Sequence, residues 1–253
     1  MESLLHVVVA VPVRDEETLL ASCLRSLVLA QDELRAMSAG VQTDIVVALD
    51  SCTDGSAAVA GTFPVAVVTT NQGCVGGARD TAIEVGVAGC RSLGIPLART
   101  WLACTDADTR VPPNWLTRQV ALGDDGADLV LGTVEPSGQL DSGLLARWRA
   151  GHQLVEDHPH IHGANLGLRA STWFSLDGFG HLPAHEDRQL AHRARASGAI
   201  CVATDSMRVR TSSRLAGRVT GGFADHLAAL TKVSGSGWGD LSRTAALAHG
   251  VDS

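Results

Sequence analysis

The sequence predicts an α/β protein: one domain with a mostly parallel central sheet flanked by helices. Three observations lead there. Apolar runs of strand length recur at 6–13, 44–50, 65–70, 100–106 and 128–134, and unbroken Val/Ile/Leu runs belong to strands covered on both faces. Stretches with helical spacing lie between them. Each of the first four runs is followed by a loop rich in Asp, Gly or Arg, where open parallel sheets bind their ligands.

The first run, within "MESLLHVVVAVPV", opens with an acidic residue and is too short to cross a bilayer. It reads as a buried strand of a cytoplasmic protein without an integral membrane segment. "DEETLLASCLRSLVLAQDELRAM" follows with acidic residues suited to a helix start and leucines at helical spacing. After the second and third strands, "GARDTAIEVGVAGCRSLG" reads as a crossover helix stopped by glycine. From about residue 136 the rhythm changes, and five of the ten histidines fall between 152 and 181. Residues 1–135 therefore read as one half, 136–235 as a site-building half and 236–253 as a mobile tail.

Composition narrows the function. A net charge of −7 with 19% charged residues offers no electrostatic footprint for nucleic acid. Cys23, Cys52, Cys74, Cys90, Cys104 and Cys201 form no C-x-x-C pair, so buried reduced thiols are expected rather than a disulfide or zinc framework. His158, His160 and His162 alternate in "HPHIHG", but no carboxylate or cysteine completes a zinc set.

The strand-end loops read "PVRDEE", "DSCTDGS", "NQGCVGGARD" and "DADTR". Asp106 and Asp108 can converge on a divalent cation bridging a phosphate, because carboxylates this close repel unless a positive charge lies between them. Two capped turns would use the same residues. "GCVGGARD" allows close backbone approach to a ligand with Arg79 against a phosphate, or plain helix packing. Asp50 can take a ribose or base N–H, whereas Asp54 reads as a helix cap. Glu186 and Asp187 fit the first turn of a helix and equally a general base. Arg208, Arg210, Arg214 and Arg218 cluster, with the last two on one face if the segment is helical.

Taken in order, "VVVAVPVRDEETLLASCLRSL", "VVALDSCTDGS", "NQGCVGGARDTAIEVG", "LACTDADTRVPPNWL", "GANLGLRASTWFSLDGFG" and "HEDRQLAHRARASGA" resemble the successive segments of family-2 glycosyltransferases with the GT-A fold, over roughly residues 6–220. The resemblance implies that Pro12, Arg14, Glu16 and Asp50 contact the nucleotide, with Gly73, Gly77 and Arg79 in the glycine-rich turn. It implies that Asp106 reaches the ribose or sugar and Asp108 holds Mn²⁺ or Mg²⁺ against the diphosphate, with Asp187 as base and Glu186 beside it. Arg214 and Arg218 would close on the diphosphate.

The implied reaction is inverting transfer from a nucleotide-diphosphate sugar to a hydroxyl acceptor, and a homo-oligomer is allowed for. A non-catalytic nucleotide-sugar-binding protein of the same fold is the alternative. Two departures stand out. "ALDSCTDGS" lacks two adjacent aspartates, and "VRTSSR" lacks the histidine that several relatives supply to the metal, leaving Ser212 and the arginines there.

Overall fold

The computed structural model describes residues 3–138, 140–214 and 223–232. Along the chain run β1 (His6–Val13), α1 (Leu20–Met37), β2 (Gln42–Asp50), α2 (Ser56–Ala60), β3 (Ala66–Thr70), α3 (Val75–Ser92), β4 (Thr100–Cys104), β5 (Thr109–Arg110) and α4 (Trp115–Asp124). They continue as β6 (Leu129–Ser137), α5 (Ser142–Gly151), β7 (Leu166–Arg169), α6 (Ala170–Ser175), α7 (Glu186–Ala196), β8 (Cys201–Ser212) and α8 (Phe223–Lys232). Arg218 and the expected tail at 236–253 lie outside the described residues.

All eight strands form one sheet in the order β3-β2-β1-β4-β7-β6-β8-β5. The first four are mutually parallel, as their apolar runs and crossover helices predict. Every residue of β1 and β4 is buried. The second half differs: β7 is antiparallel to both β4 and β6, and β5 is antiparallel to β8. β3 departs from the expected two-sided cover, since it lies at a sheet edge and its side chains are exposed or half-buried.

The sheet must curl. β4 and β5 stand four places apart, about 19 Å in a flat sheet at ~4.8 Å per strand. Only residues 105–108 join them, and these are folded further by a turn in which Thr109 N–H donates to Asp106 O at 3.0 Å. A turned four-residue connection spans less than that, at no more than about 3.6 Å per residue. The loop carrying Asp106 and Asp108 is therefore a chord across a curved sheet.

Two apolar layers pack the sheet. Leu20, Leu24, Leu27 and Leu34 of α1 cover one face with Trp101 and Trp115, and Ala78, Ala82, Ile83 and Val87 of α3 cover the other. Gly86 lets α3 seat on β1, because a Cβ there would stand 2.3 Å from Val8 Cγ1.

Between β6 and β8 the register slips after Gly132, and Val134 pairs next with Val209. The bulge leaves carbonyls without ladder partners. Asn165, fully buried, fills that gap by donating Nδ2–H to Thr133 O (2.8 Å) and Met207 O (3.0 Å) while accepting from Trp115 Nε1 (2.9 Å). Asn165→Ala should cost about 2–4 kcal/mol, since each buried polar group left unsatisfied costs ~1–3 kcal/mol. Urea unfolding of both proteins measures the difference, and a loss below 1 kcal/mol would show that other groups satisfy the bulge.

Candidate functional site

The ends of β1, β2 and β4 open on one crevice, closed from the far side by the start of α7. Asp106 follows β4 directly. Its Oδ1 accepts from Arg79 Nη2 at 3.0 Å, and Arg79 Nη1 reaches Glu186 Oε1 at 2.9 Å. Arg79, 1% exposed, also lies over the Phe179 ring with 4.8 Å to its centroid. Burial alone would pull its pKa down, but Glu186 and Asp106 more than offset this and hold it charged. This guanidinium therefore sits inside the protein, joining the two-aspartate loop to the first turn of α7.

The glycines of "GCVGGARD" make that contact possible. A Cβ on Gly76 would stand 2.5 Å from Gly180 O, and one on Gly77 would meet Gln72 and His181 at 3.0 Å. A Cβ on Gly163 would stand 2.8 Å from Arg79 Nη2. Gly77 thus gives clearance to protein neighbours, while Gly73 supplies the left-handed turn at φ 68°. Asp80 secures the opposite wall: its carboxylate accepts from Trp173 Nε1 and from the N–H groups of Phe179 and Gly180 at 2.8–3.0 Å.

A second arginine bridges the crevice mouth. Arg214 Nη1 contacts Glu16 Oε1 at 2.7 Å and Nη2 contacts Asp108 Oδ2 at 3.1 Å. Asp108 Oδ1 accepts from Thr211 Oγ1 at 3.2 Å. The chain is extended through Ser212 in β8, and residues 215–218, on which the helical face considered for Arg214 and Arg218 depends, lie outside the described residues. Arg208 and Arg210 belong to β8 as well and line a groove elsewhere.

Asp50 is buried at the end of β2, and its Oδ1 accepts from Gln72 N–H (2.8 Å) and Gly73 N–H (3.2 Å), tying two strand-end loops together. Pro12 is buried in β1 and Arg14 is exposed beyond it. Asp15, Cys52 and Asp54 also converge. Their carboxylates, however, receive backbone N–H groups: Thr53 and Asp54 donate to Asp15, and Glu17 and Ser56 to Asp54. The bond to Ser56, the first residue of α2, agrees with the capping role expected of Asp54.

At the start of α7, Asp187 Oδ2 accepts from Gly163 N–H at 2.8 Å and Oδ1 from Arg188 N–H at 2.7 Å. Desolvation raises its pKa and Glu186 adds to the rise, with Arg79 and the two N–H groups opposing. Asp106 is pushed up to about 6 by desolvation, against the pull of Arg79 and with further pushes from Asp108 and Glu186. Glu16, Asp106, Asp108, Glu186 and Asp187 thus face two guanidiniums, Arg79 and Arg214. The buried Cys23 thiol registers the same field: burial lifts its pKa, and Asp108, Asp106 and Glu16 lift it further. This excess of hard oxygen donors suits Mg²⁺ or Mn²⁺, which complete their shells with water and phosphate oxygens. Among the described residues, no third His, Cys or acidic side chain converges with Asp106 and Asp108.

These elements make a curled, mostly parallel α/β sheet with an acid-rich crevice at its strand ends, and sequence comparison identifies its family. The family model for glycosyl transferase family 2 matches residues 8–150, and the chain belongs to that family of glycosyltransferase enzymes. Two similar solved structures agree on the GT-A fold. One is Staphylococcus aureus TarS 1–349 in complex with UDP (18% identity, TM-score 0.57, covering 83% of this chain and 61% of that one). The other is the mannosyltransferase PcManGT from Pyrobaculum calidifontis with GDP-Man and Mn²⁺ (16% identity, TM-score 0.58, covering 98% and 79%). The chain thus spans about three-fifths of the TarS fragment's length. Curated proteins returned no match. Among the described residues no helix is long and apolar enough to cross a membrane.

The alternating histidines form a ring stack instead of a metal cluster: His152–His160, His158–His160 and His160–His162 centroids lie 5.1, 5.7 and 6.1 Å apart, and Trp148 caps the row at 4.3 Å from His152. Burial first, then His160, His152, His158 and Arg188, pull the His162 pKa down to about 3. The unfolded chain takes up a proton near 6.5 and the folded chain near 3, so acid favours unfolding across that window. Stability should fall as pH drops below 6.5, by up to ~1.4 kcal/mol per pH unit for this one proton. His162→Gln should flatten the slope; parallel melting curves from pH 7 to 5 check it, and identical slopes would refute this origin.

Proposed function

We propose that the protein transfers a sugar from a nucleotide-diphosphate donor to an acceptor hydroxyl with inversion at the anomeric carbon, using Asp187 as general base. One observation carries the reading: Asp187, with its raised pKa, is held by the N–H groups of Gly163 and Arg188, and its neighbour Glu186 is tied through buried Arg79 to Asp106. A base and a donor-side carboxylate in fixed relation are what an in-line displacement needs.

On this reading Asp187 accepts the proton of the acceptor hydroxyl as its oxygen bonds to the anomeric carbon. The bond from that carbon to the diphosphate oxygen breaks, and the nucleoside diphosphate leaves with the electron pair. Asp106 and Asp108 would hold Mn²⁺ or Mg²⁺, which neutralises charge on the leaving group when bound. Arg214, exchanging its contacts with Glu16 and Asp108 for phosphate oxygens, is assigned the same task, as are Ser212 and Arg218. Pro12, Arg14, Glu16, Asp50 and Gly73 are assigned to the nucleotide end. Arg79 and Gly77, being turned into the protein, are assigned to positioning rather than to ligand contact. The cytoplasmic setting expected from six free thiols goes with this reading.

Two substitutions separate the roles. Asp187→Asn should keep donor affinity near wild type while lowering turnover ~10²–10⁴-fold, the usual contribution of a positioned base. Normal turnover at saturating acceptor would remove Asp187 from that role. Asp108→Asn should instead weaken Mn²⁺-dependent binding of nucleoside diphosphate, measured by calorimetry, with an unchanged melting curve. Retained metal-dependent affinity would count against the metal assignment, and the absence of donor-dependent nucleoside diphosphate release from the wild-type protein would favour a binding protein.

A further inference from the structure

Behind the crevice, on the opposite side of the β5–β8 pair, lies a groove that donor chemistry does not use. Thr109 and Thr211 are cross-strand partners, buried, hydrogen-bonded at 2.9 Å and turned with Asp108 towards the crevice. Side chains alternate along a strand, so the neighbouring pair, Arg110 and Arg210, projects to the other face, where both are exposed. A cavity of about 490 Å³ opens there, lined by Arg110, Arg208, Arg210, Glu135, Asp205 and Asn114 among others.

The charge arrangement in this groove is unusual. Arg110 and Arg210 stand directly opposite each other on antiparallel strands, and like charges so placed destabilise the pair. Arg208, two residues before Arg210, faces the same way. Each of the two carboxylates present is already engaged. Asp205 grips Arg208 through both oxygens and accepts from Thr133 Oγ1. Glu135 lies opposite Arg210 in the β6–β8 register, 3.6 Å from its Nε, and also takes Arg149 at 3.3 Å. Arg110 has no carboxylate partner among the described residues. In a chain of net charge −7 the sequence had ample acidic residues to pair it. Neither the fold nor the crevice requires an uncompensated guanidinium opposite another.

We propose that this groove binds the phosphoryl group of a second ligand, with Arg110 and Arg210 bridging its oxygens and Asp205 and Glu135 fixing the surrounding guanidiniums. A tetrahedral oxyanion presents oxygens in several directions and can join forks that come from adjacent strands, whereas a planar carboxylate is satisfied by one fork. The anion also removes the like-charge opposition across β5–β8. The inference does not depend on the proposed transfer reaction, because none of its residues belongs to the crevice.

The test uses inorganic pyrophosphate as probe, in EDTA, titrated calorimetrically into the Arg214→Gln protein so that the crevice arginine does not contribute. Adding Arg110→Gln and Arg210→Gln to that background should weaken binding at least ~10-fold, the loss expected for charge-assisted hydrogen bonds. Acetate, a single planar carboxylate, should bind more weakly than pyrophosphate. Arg110→Gln alone should melt no lower than its parent without anion, because it relieves repulsion, and should lose the stabilisation that pyrophosphate gives the parent. Unchanged pyrophosphate affinity in the substituted protein, no binding to the parent, equal binding of acetate, or a lower anion-free melting temperature for Arg110→Gln would each overturn the proposal. Donor binding in Mn²⁺ is read separately on wild-type protein, so failure there leaves this result standing.

Discussion

A single buried guanidinium sets the geometry on which the site depends. Arg79 has almost no contact with solvent, and a charge in that position is tolerable only because two carboxylates and an aromatic face surround it. The partners come from distant parts of the chain: Asp106 follows β4, and Glu186 opens α7. Holding both fixes the distance between the two-aspartate loop and Asp187. The glycines at 76, 77 and 163 follow from the same requirement, since side chains there would collide with the guanidinium or with the segment it draws in.

The remaining electrostatics follow from how little positive charge the crevice contains. Arg214 spans Glu16 and Asp108, and Arg79 spans Asp106 and Glu186, so each guanidinium is shared between two acids. Asp187 is left to backbone N–H groups, and its pKa rises with that of Asp106. One mouth-side cation and one interior cation have different consequences. Arg214 is about one-third exposed and can exchange partners, whereas moving Arg79 would strand the buried Glu186 and unpair Asp106.

The sequence made the first half of the fold legible because β1, β2 and β4 lie inside a parallel sheet, where two-sided burial leaves an unmistakable apolar run. β3 was found by the same sign, but as an edge strand it is open to solvent. β7 escaped because four residues are too few for any period. β8 escaped because a bulge interrupts it and arginines occupy its outward positions, so no continuous apolar run marks it. Among site residues, Asp106, Asp108, Glu186 and Asp187 could be picked out from their order along the chain. The orientation of Arg79 could not, since an arginine after glycines looks the same whether it faces a phosphate or the interior. Only the clearance around Gly163 and Gly76, which is three-dimensional information, distinguishes the two.

The curl of the sheet bears on the order in which the protein assembles. β5 comes from the first half of the chain, yet among the described residues its strand partner is β8, about a hundred residues later, with β7 and β6 between them and β4. Asp108 receives its hydrogen bond from Thr211 on that late strand. During synthesis, β1 to β4 can pair as they emerge and Arg79 can hold Asp106, but the Asp108 end of the chord has no strand to pair with until residue 211 has arrived. Such long-range closure is slow because its loop entropy must be met before any contact rewards it. Acquisition of the site is thus a late folding event, and a nascent chain ending before β8 would hold most of a sheet with no working centre.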